Sequence, residues 1–212
     1  LEAAMQTVWS RRSLDDVIQL CNNFRPDVIH SHNTFPLISP SVFSVAKRWN
    51  IPVIQTLHNF RLICPQATLL RQDKPCEDCI GKLPWRAIIH RCYRGSLPQS
   101  SVSVGMITLH RLLRTWTKQV TRYIVLNQMC RDKLIEGGIP FELLRIKPNF
   151  LEAPIEPQWN HRHGGVFIGR LSNEKGLHVL AEAVAQLPNV SIDVFGIGPL
   201  ATLVKSSRGL RY

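Results

Sequence analysis

Gly169-Arg170-Leu171-Ser172-Asn173-Glu174-Lys175-Gly176 sets a planar guanidinium and a compact ammonium five residues apart, between a β-rich run and an apolar-striped helical segment. A strand-to-helix turn of this kind gathers uncapped backbone N–H groups at the positive end of a helix dipole, which favours an anion. Arg170 can grip two phosphate oxygens with its fork, and Lys175 supplies a point charge. Both could reach one diphosphate at the C-terminal edge of a sheet, where open α/β sheets bind ligands. Gly169 would let the backbone pass close to that ligand. The same residues also read as an ordinary turn carrying two surface cations. Neither G-x-x-x-x-G-K-[ST] nor G-x-G-x-x-G occurs; Gly196-Ile197-Gly198 is followed by Pro199.

Two other groups could do chemistry. His58 ends a β-rich run, where an imidazole can also be a core ring, while His30 and His32 alternate along the end of an earlier run. Cys64, Cys76, Cys79 and Cys92 lie within one segment, and Cys76-Glu77-Asp78-Cys79 has the spacing that aims two thiolates at one metal. A structural zinc would explain how such a segment holds its shape; free thiols and disulfides are the open alternatives.

The elements that must position these groups alternate in type. Asp27–His30, Pro52–His58, Tyr123–Leu126 and Leu144–Ile146 read as strands, with helices over Ser13–Phe24, Ser39–Trp49 and Gln128–Glu136. Ser13 is the expected N-cap of the first helix, with Asp15 and Asp16 in its first turn. Apolar strands separated by helices imply a parallel sheet covered on both faces. Pro148 and the run Pro154–Pro157 break this rhythm and read as a linker over 148–160. A second βαβ unit follows: Val166–Ile168, a helix over Glu174–Leu187 capped by Ser172 or Asn173, and Val190–Phe195. The chain thus divides into two partial Rossmann-like domains, 1–150 and 151–212. Residues 60–100 fit no βα spacing and read as an insertion. Val102, Met106, Leu109, Leu113 and Trp116 form an apolar stripe, with Arg111, Arg114 and Lys118 on another face. That helix either packs on its own domain or rests on an anionic membrane with Trp116 at the interface.

These motifs, in this order, resemble family-4 retaining glycosyltransferases of the GT-B fold. Gly169–Gly176 is similar to that family's donor-site loop. Pro26-Asp27-Val28-Ile29-His30-Ser31-His32-Asn33 and Ile51-Pro52-Val53-Ile54-Gln55-Thr56-Leu57-His58-Asn59 resemble successive acceptor-domain strands. Lys147-Pro148-Asn149-Phe150 is similar to the segment before the hinge, and Val194–Leu200 to the following strand and Gly loop. The Cys-containing stretch resembles an insert carried by a subgroup. The resemblance implies an α/β fold of two Rossmann-like domains with parallel sheets, both incomplete here: acceptor side over 1–150, nucleotide-sugar side over 151–212. It implies a hexosyltransferase-type transfer with retention, from a UDP- or GDP-type nucleotide-sugar donor to a saccharide or lipid-linked hydroxyl acceptor in polysaccharide biosynthesis. Gly169, Arg170 and Lys175 would bind the donor, His58 would serve the sugar and acceptor, and no cofactor would be required for catalysis. The family's first Gly-rich loop would precede Leu1, and its acidic pair would follow Tyr212, so both ends read as cut and the fragment alone as inactive.

The 212 residues carry a formal charge of +11, with 44% hydrophobic and 19% charged residues. Residues 1–150 hold 20 basic against 10 acidic side chains, and Arg61 to Arg122 alone 11 against 3. Such a patch suits anionic partners, lipid headgroups or phosphorylated acceptors among them. A basic Cys-rich nucleic-acid module is a competing reading, but no aromatic-studded basic strand or recognition helix accompanies the charge, so nucleic acid is not the expected partner. A nucleotide-sugar epimerase on the same fold is another. No run reaches the length of a membrane span, and the expected location is cytoplasmic with peripheral contact at the inner membrane face.

Overall fold

The computed structural model describes residues 2–152 and 163–212. It divides into two units, Leu1–Phe150 and Leu151–Tyr212. Most of the expected linker, including Pro154–Pro157, lies outside the described residues.

The first unit is built on a parallel sheet of β1 (Ile29–Ser31), β2 (Val53–Leu57), β5 (Arg122–Val125) and β6 (Leu144–Ile146), in the order β1-β2-β5-β6. Val53, Leu57, Tyr123, Val125 and Leu144 are buried in one cluster with Phe43, Met106, Ile107, Trp116 and Leu134. Each such side chain removed from water stabilises the unit by roughly 1.5–3 kcal/mol. α1 (Glu2–Val8) and α2 (Arg11–Phe24) precede β1, while α3 (Phe43–Trp49) runs between β1 and β2 and α7 (Gln128–Glu136) between β5 and β6.

The start of α2 differs from the expectation. Ser10, not Ser13, is the N-cap; its Oγ accepts the N–H of Ser13 at 3.2 Å. Asp15 and Asp16 therefore fall past the first turn, where the dipole gives them little. Asn127 caps α7 in the same manner, accepting the N–H of Cys130 at 2.9 Å.

Residues 60–100 are not structureless. A short hairpin of β3 (Leu70–Arg71) and β4 (Lys74–Pro75) precedes Cys76, and α4 (Arg86–Ile89) precedes Cys92. The segment is tied to the rest of the unit by Glu77 pairing with Lys133 at 2.9 Å and by Arg111 donating to the carbonyl of Lys82 at 2.6 Å, and is braced internally by Arg71 pairing with Asp78 at 2.7 Å.

The apolar-striped helix is two pieces: α5 (Leu97–Leu112) and α6 (Thr115–Lys118), separated at Arg114, whose φ is 53°. Its buried side is also not the expected stripe. Ser100, Ser103, Val104, Met106, Ile107 and His110 are buried, while Leu113 is exposed. Trp116 is only 3% exposed and belongs to the core, which removes it from any membrane interface. Arg111 spends its guanidinium on the carbonyls of Lys82 and Leu62. Among the described residues no helix is long and apolar enough to cross a membrane.

The second unit is a parallel sheet of β7 (Gly165–Ile168), β8 (Ile192–Phe195) and β9 (Leu210–Arg211). α8 (Leu177–Ala185) and α9 (Ala201–Ser206) bury Leu177, Ala181, Val184 and Val204 with Val194 and Leu210. Arg211 grips Asp193 through two hydrogen bonds of 2.7 and 2.9 Å, fixing β9 beside β8.

Candidate active site

In a parallel sheet every strand delivers its C-terminal end to the same edge. β1 and β2 therefore bring His30, His32 and His58 together there. His32 Nδ1 and His58 Nε2 are 2.9 Å apart with the rings stacked, so one imidazole donates an N–H to the lone pair of the other. His30 Nε2 lies 2.9 Å from the hydroxyl of buried Thr56, and its ring centroid is 4.6 Å from that of His32. All three rings are exposed. Together with Lys147, Asn149 and Phe150 they line a cavity of about 320 Å³, and the Lys147 ammonium lies 4.5 Å from the centre of the Phe150 ring.

Arg61, which spacing alone does not single out, stands beside this edge. Its guanidinium lies over the rings of Phe35 and Tyr93, at 4.1 and 4.9 Å from their centres, and donates to the carbonyl of Pro65. Among the described residues no carboxylate pairs with it, and burial lowers its pKa. Aromatic faces and a carbonyl thus carry the charge. The signal available in the sequence was only an Arg two residues past Asn59, whose Oδ1 accepts the N–H of Arg61 at 3.0 Å.

In the second unit, the loop after β7 holds Gly169, Arg170 and Lys175. Its helix starts later than expected. Asn173–Lys175 form a 3₁₀ turn, Gly176 follows at φ +70°, and only then does α8 begin. Ser172 occupies the N-cap of the 3₁₀ turn without a side-chain cap bond, and Asn173 bonds His178 at 3.2 Å. Arg170 is exposed and pairs with Glu174 at 3.2 Å. A Cβ on Gly169 would make ordinary contact with the Phe167 ring, so its own bareness is not what the packing demands. The demanding glycines are Gly196 and Gly198. A Cβ on the first would collide with the carbonyl of Gly169, and on the second with the backbone of Leu171. The two loops are laced together by Gly169 N–H to Phe195 O, Leu171 N–H to Ile197 O and Leu200 N–H to Leu171 O, at 3.0, 3.0 and 2.9 Å. Leu171 is fully buried, which leaves Arg170 pointing away from the core at the C-terminal edge of β7.

The four cysteines are free thiols, Cys64 buried and the others half-buried. Burial, reinforced by Cys64, Cys92 and Cys76, pushes the Cys79 thiol up to about 11. Among the described residues no group of three or more His, Cys, Asp or Glu side chains is arranged to hold a metal ion. The insertion's shape is accounted for by the ion pairs and the Arg111 bond described above.

Residues 3–149 match the model of the glycosyl transferase 4-like domain. The match spans well over half of the chain, and the protein belongs to that family; it is a glycosyltransferase whose two parallel α/β units form part of a GT-B type fold. No curated protein matches the chain.

Proposed function

We propose that the protein transfers a sugar from a nucleoside-diphosphate donor to a hydroxyl acceptor with retention at the anomeric carbon, as a hexosyltransferase of polysaccharide or lipid-linked saccharide assembly. The family match ends at residue 149, so the donor half of this reading rests on the loop itself. The observation that supports it best is that Lys175, which has no ion pair among the described residues, shares the loop with a second cation, Arg170, held by an exposed ion pair at a sheet's C-terminal edge. Such an exposed pair contributes at most about 1 kcal/mol, so a diphosphate displaces Glu174 readily. Arg170 and Lys175 then neutralise the leaving nucleoside diphosphate as its charge grows, and the backbone from Gly169 adds donors. In this reading no metal is called for.

His58 serves the acceptor side. The His32–His58 hydrogen bond occupies one nitrogen of each ring and leaves the other nitrogen of His58 to orient a hydroxyl. Lys147 and the basic surface of residues 61–122 suit an acceptor carrying phosphate, and the reaction is placed in the cytoplasm with the acceptor at the inner membrane face. Incubation with UDP- and GDP-sugars and lipid-linked saccharides, following nucleoside-diphosphate release, tests the reading. Release that depends on acceptor supports it. Donor interconversion without acceptor would mark an epimerase instead, and salt-sensitive DNA binding with no nucleotide-sugar binding would mark a nucleic-acid module.

A further inference from the structure

Beside the imidazole pair the first unit has a second and much smaller cavity, of about 20 Å³. Gln55 of β2, Met106 of α5 and Trp116 of α6 contribute to its walls, with His32, His58 and Arg61 from the loops above. Two of these lining residues each carry a buried polar atom with no hydrogen-bond partner among the described residues: Gln55 Oε1 and Trp116 Nε1. The residues themselves are 4% and 3% exposed.

The two atoms are complementary, since an amide oxygen only accepts and an indole N–H only donates. Leaving either unpaired in a dry core costs more than a typical hydrogen bond contributes to stability, and native interiors rarely tolerate even one. Two such atoms on residues that line one cavity call for a single group that both donates and accepts. Roughly 10–15 Å³ suffices for one water, whereas a water's share of liquid volume is about 30 Å³. A cavity of about 20 Å³ therefore has room for one water.

We infer that one fixed water molecule is part of this fold, accepting the indole N–H of Trp116 and donating to the amide oxygen of Gln55. It ties α6 to the centre of the sheet in a cavity that His32 and His58 also line. The inference needs only the first unit's geometry and is independent of the donor reading.

The test is the water cross-peak of the Trp116 indole N–H in a two-dimensional NMR exchange experiment on the 15N-labelled chain, with Trp116→Phe used to assign the signal. A long-lived water gives a direct dipolar cross-peak to that proton. Gln55→Met, close to isosteric but without the acceptor, removes the cross-peak and lowers the Tm, because the water then lacks its second partner. A crystal structure gives a second readout, a single solvent peak within hydrogen-bond reach of both atoms. An indole proton with no water cross-peak overturns the inference. So does a Gln55→Met variant with a raised Tm, since that is what deleting an unpaired buried oxygen from a dry cavity would do.

Discussion

Acidification should unfold the first unit through His110. This imidazole is fully buried: its Nε2 lies 2.9 Å from the carbonyl of Val8, its Nδ1 2.9 Å from Thr115 Oγ1, and the Trp9 and Trp116 rings lie against it. The carbonyl can only accept, so Nε2 carries the proton and Nδ1 accepts from the threonine hydroxyl. Desolvation lowers the ring's pKa below the ordinary 6.5, and the Val8 bond only partly opposes this. The unfolded chain therefore takes up the proton first. The stability tied to the neutral ring is complete above the unfolded pKa and falls as pH drops through 6.5 toward the folded value. One proton can contribute a slope of at most about 1.4 kcal/mol per pH unit in that window. Urea unfolding followed by tryptophan fluorescence, between about pH 7.5 and about pH 5, measures it, with His110→Gln as the reference that cannot titrate. Wild type should lose stability faster than the variant below about pH 6.5. Parallel curves for the two proteins would refute the assignment of a buried neutral ring.

Tyr123→Phe removes a hydroxyl that donates to the carbonyl of Trp116 at 2.9 Å from a residue with no exposure. A loss of roughly 1–2 kcal/mol is expected in the same unfolding assay, with the far-UV circular dichroism unchanged. Gly196→Ala drives a methyl into the carbonyl of Gly169, and overpacking of this kind costs about 1–3 kcal/mol. Hydrogen exchange at the Gly169 and Leu171 amides should accelerate by at least tenfold, roughly the effect of 1.4 kcal/mol, while amides of β2 and β5 are untouched. His58→Ala should lower kcat for sugar transfer by about 10²-fold, the scale of effect of misplacing a reacting group by about 1 Å, with nucleotide affinity retained. Loss of nucleotide affinity in that variant would move His58 out of the acceptor role.

The parallel sheets were legible because β-branched and apolar runs follow Pro26, Pro52 and Thr121, and those after Pro26 and Thr121 are each succeeded by a helical pattern. The C-terminal edge of the first sheet was legible for the same reason, and it gathers His30, His32 and His58 without further information. What hydropathy missed were polar residues buried with their bonds satisfied. Ser100 and Ser103 face inward because their hydroxyls serve the backbone of Tyr93 and Pro65, and His110 because it bridges Val8 and Thr115. These residues shift the buried side of α5 away from the apolar stripe. The start of α8 was misread because Asn173-Glu174-Lys175 suits a helix cap, whereas Gly176 in the left-handed region ends a separate 3₁₀ turn first. The insertion was opaque because its strands are two residues long, too short for any period to register.

The central claim is that the loop after β7 is where a nucleoside diphosphate binds, and calorimetric titration of the chain with UDP and with GDP tests it most directly. One of the two should bind, and Arg170→Ala combined with Lys175→Ala should abolish that binding while the unfolding midpoint stays within the small range expected of exposed side chains. Affinity unchanged in the double variant would contradict the account.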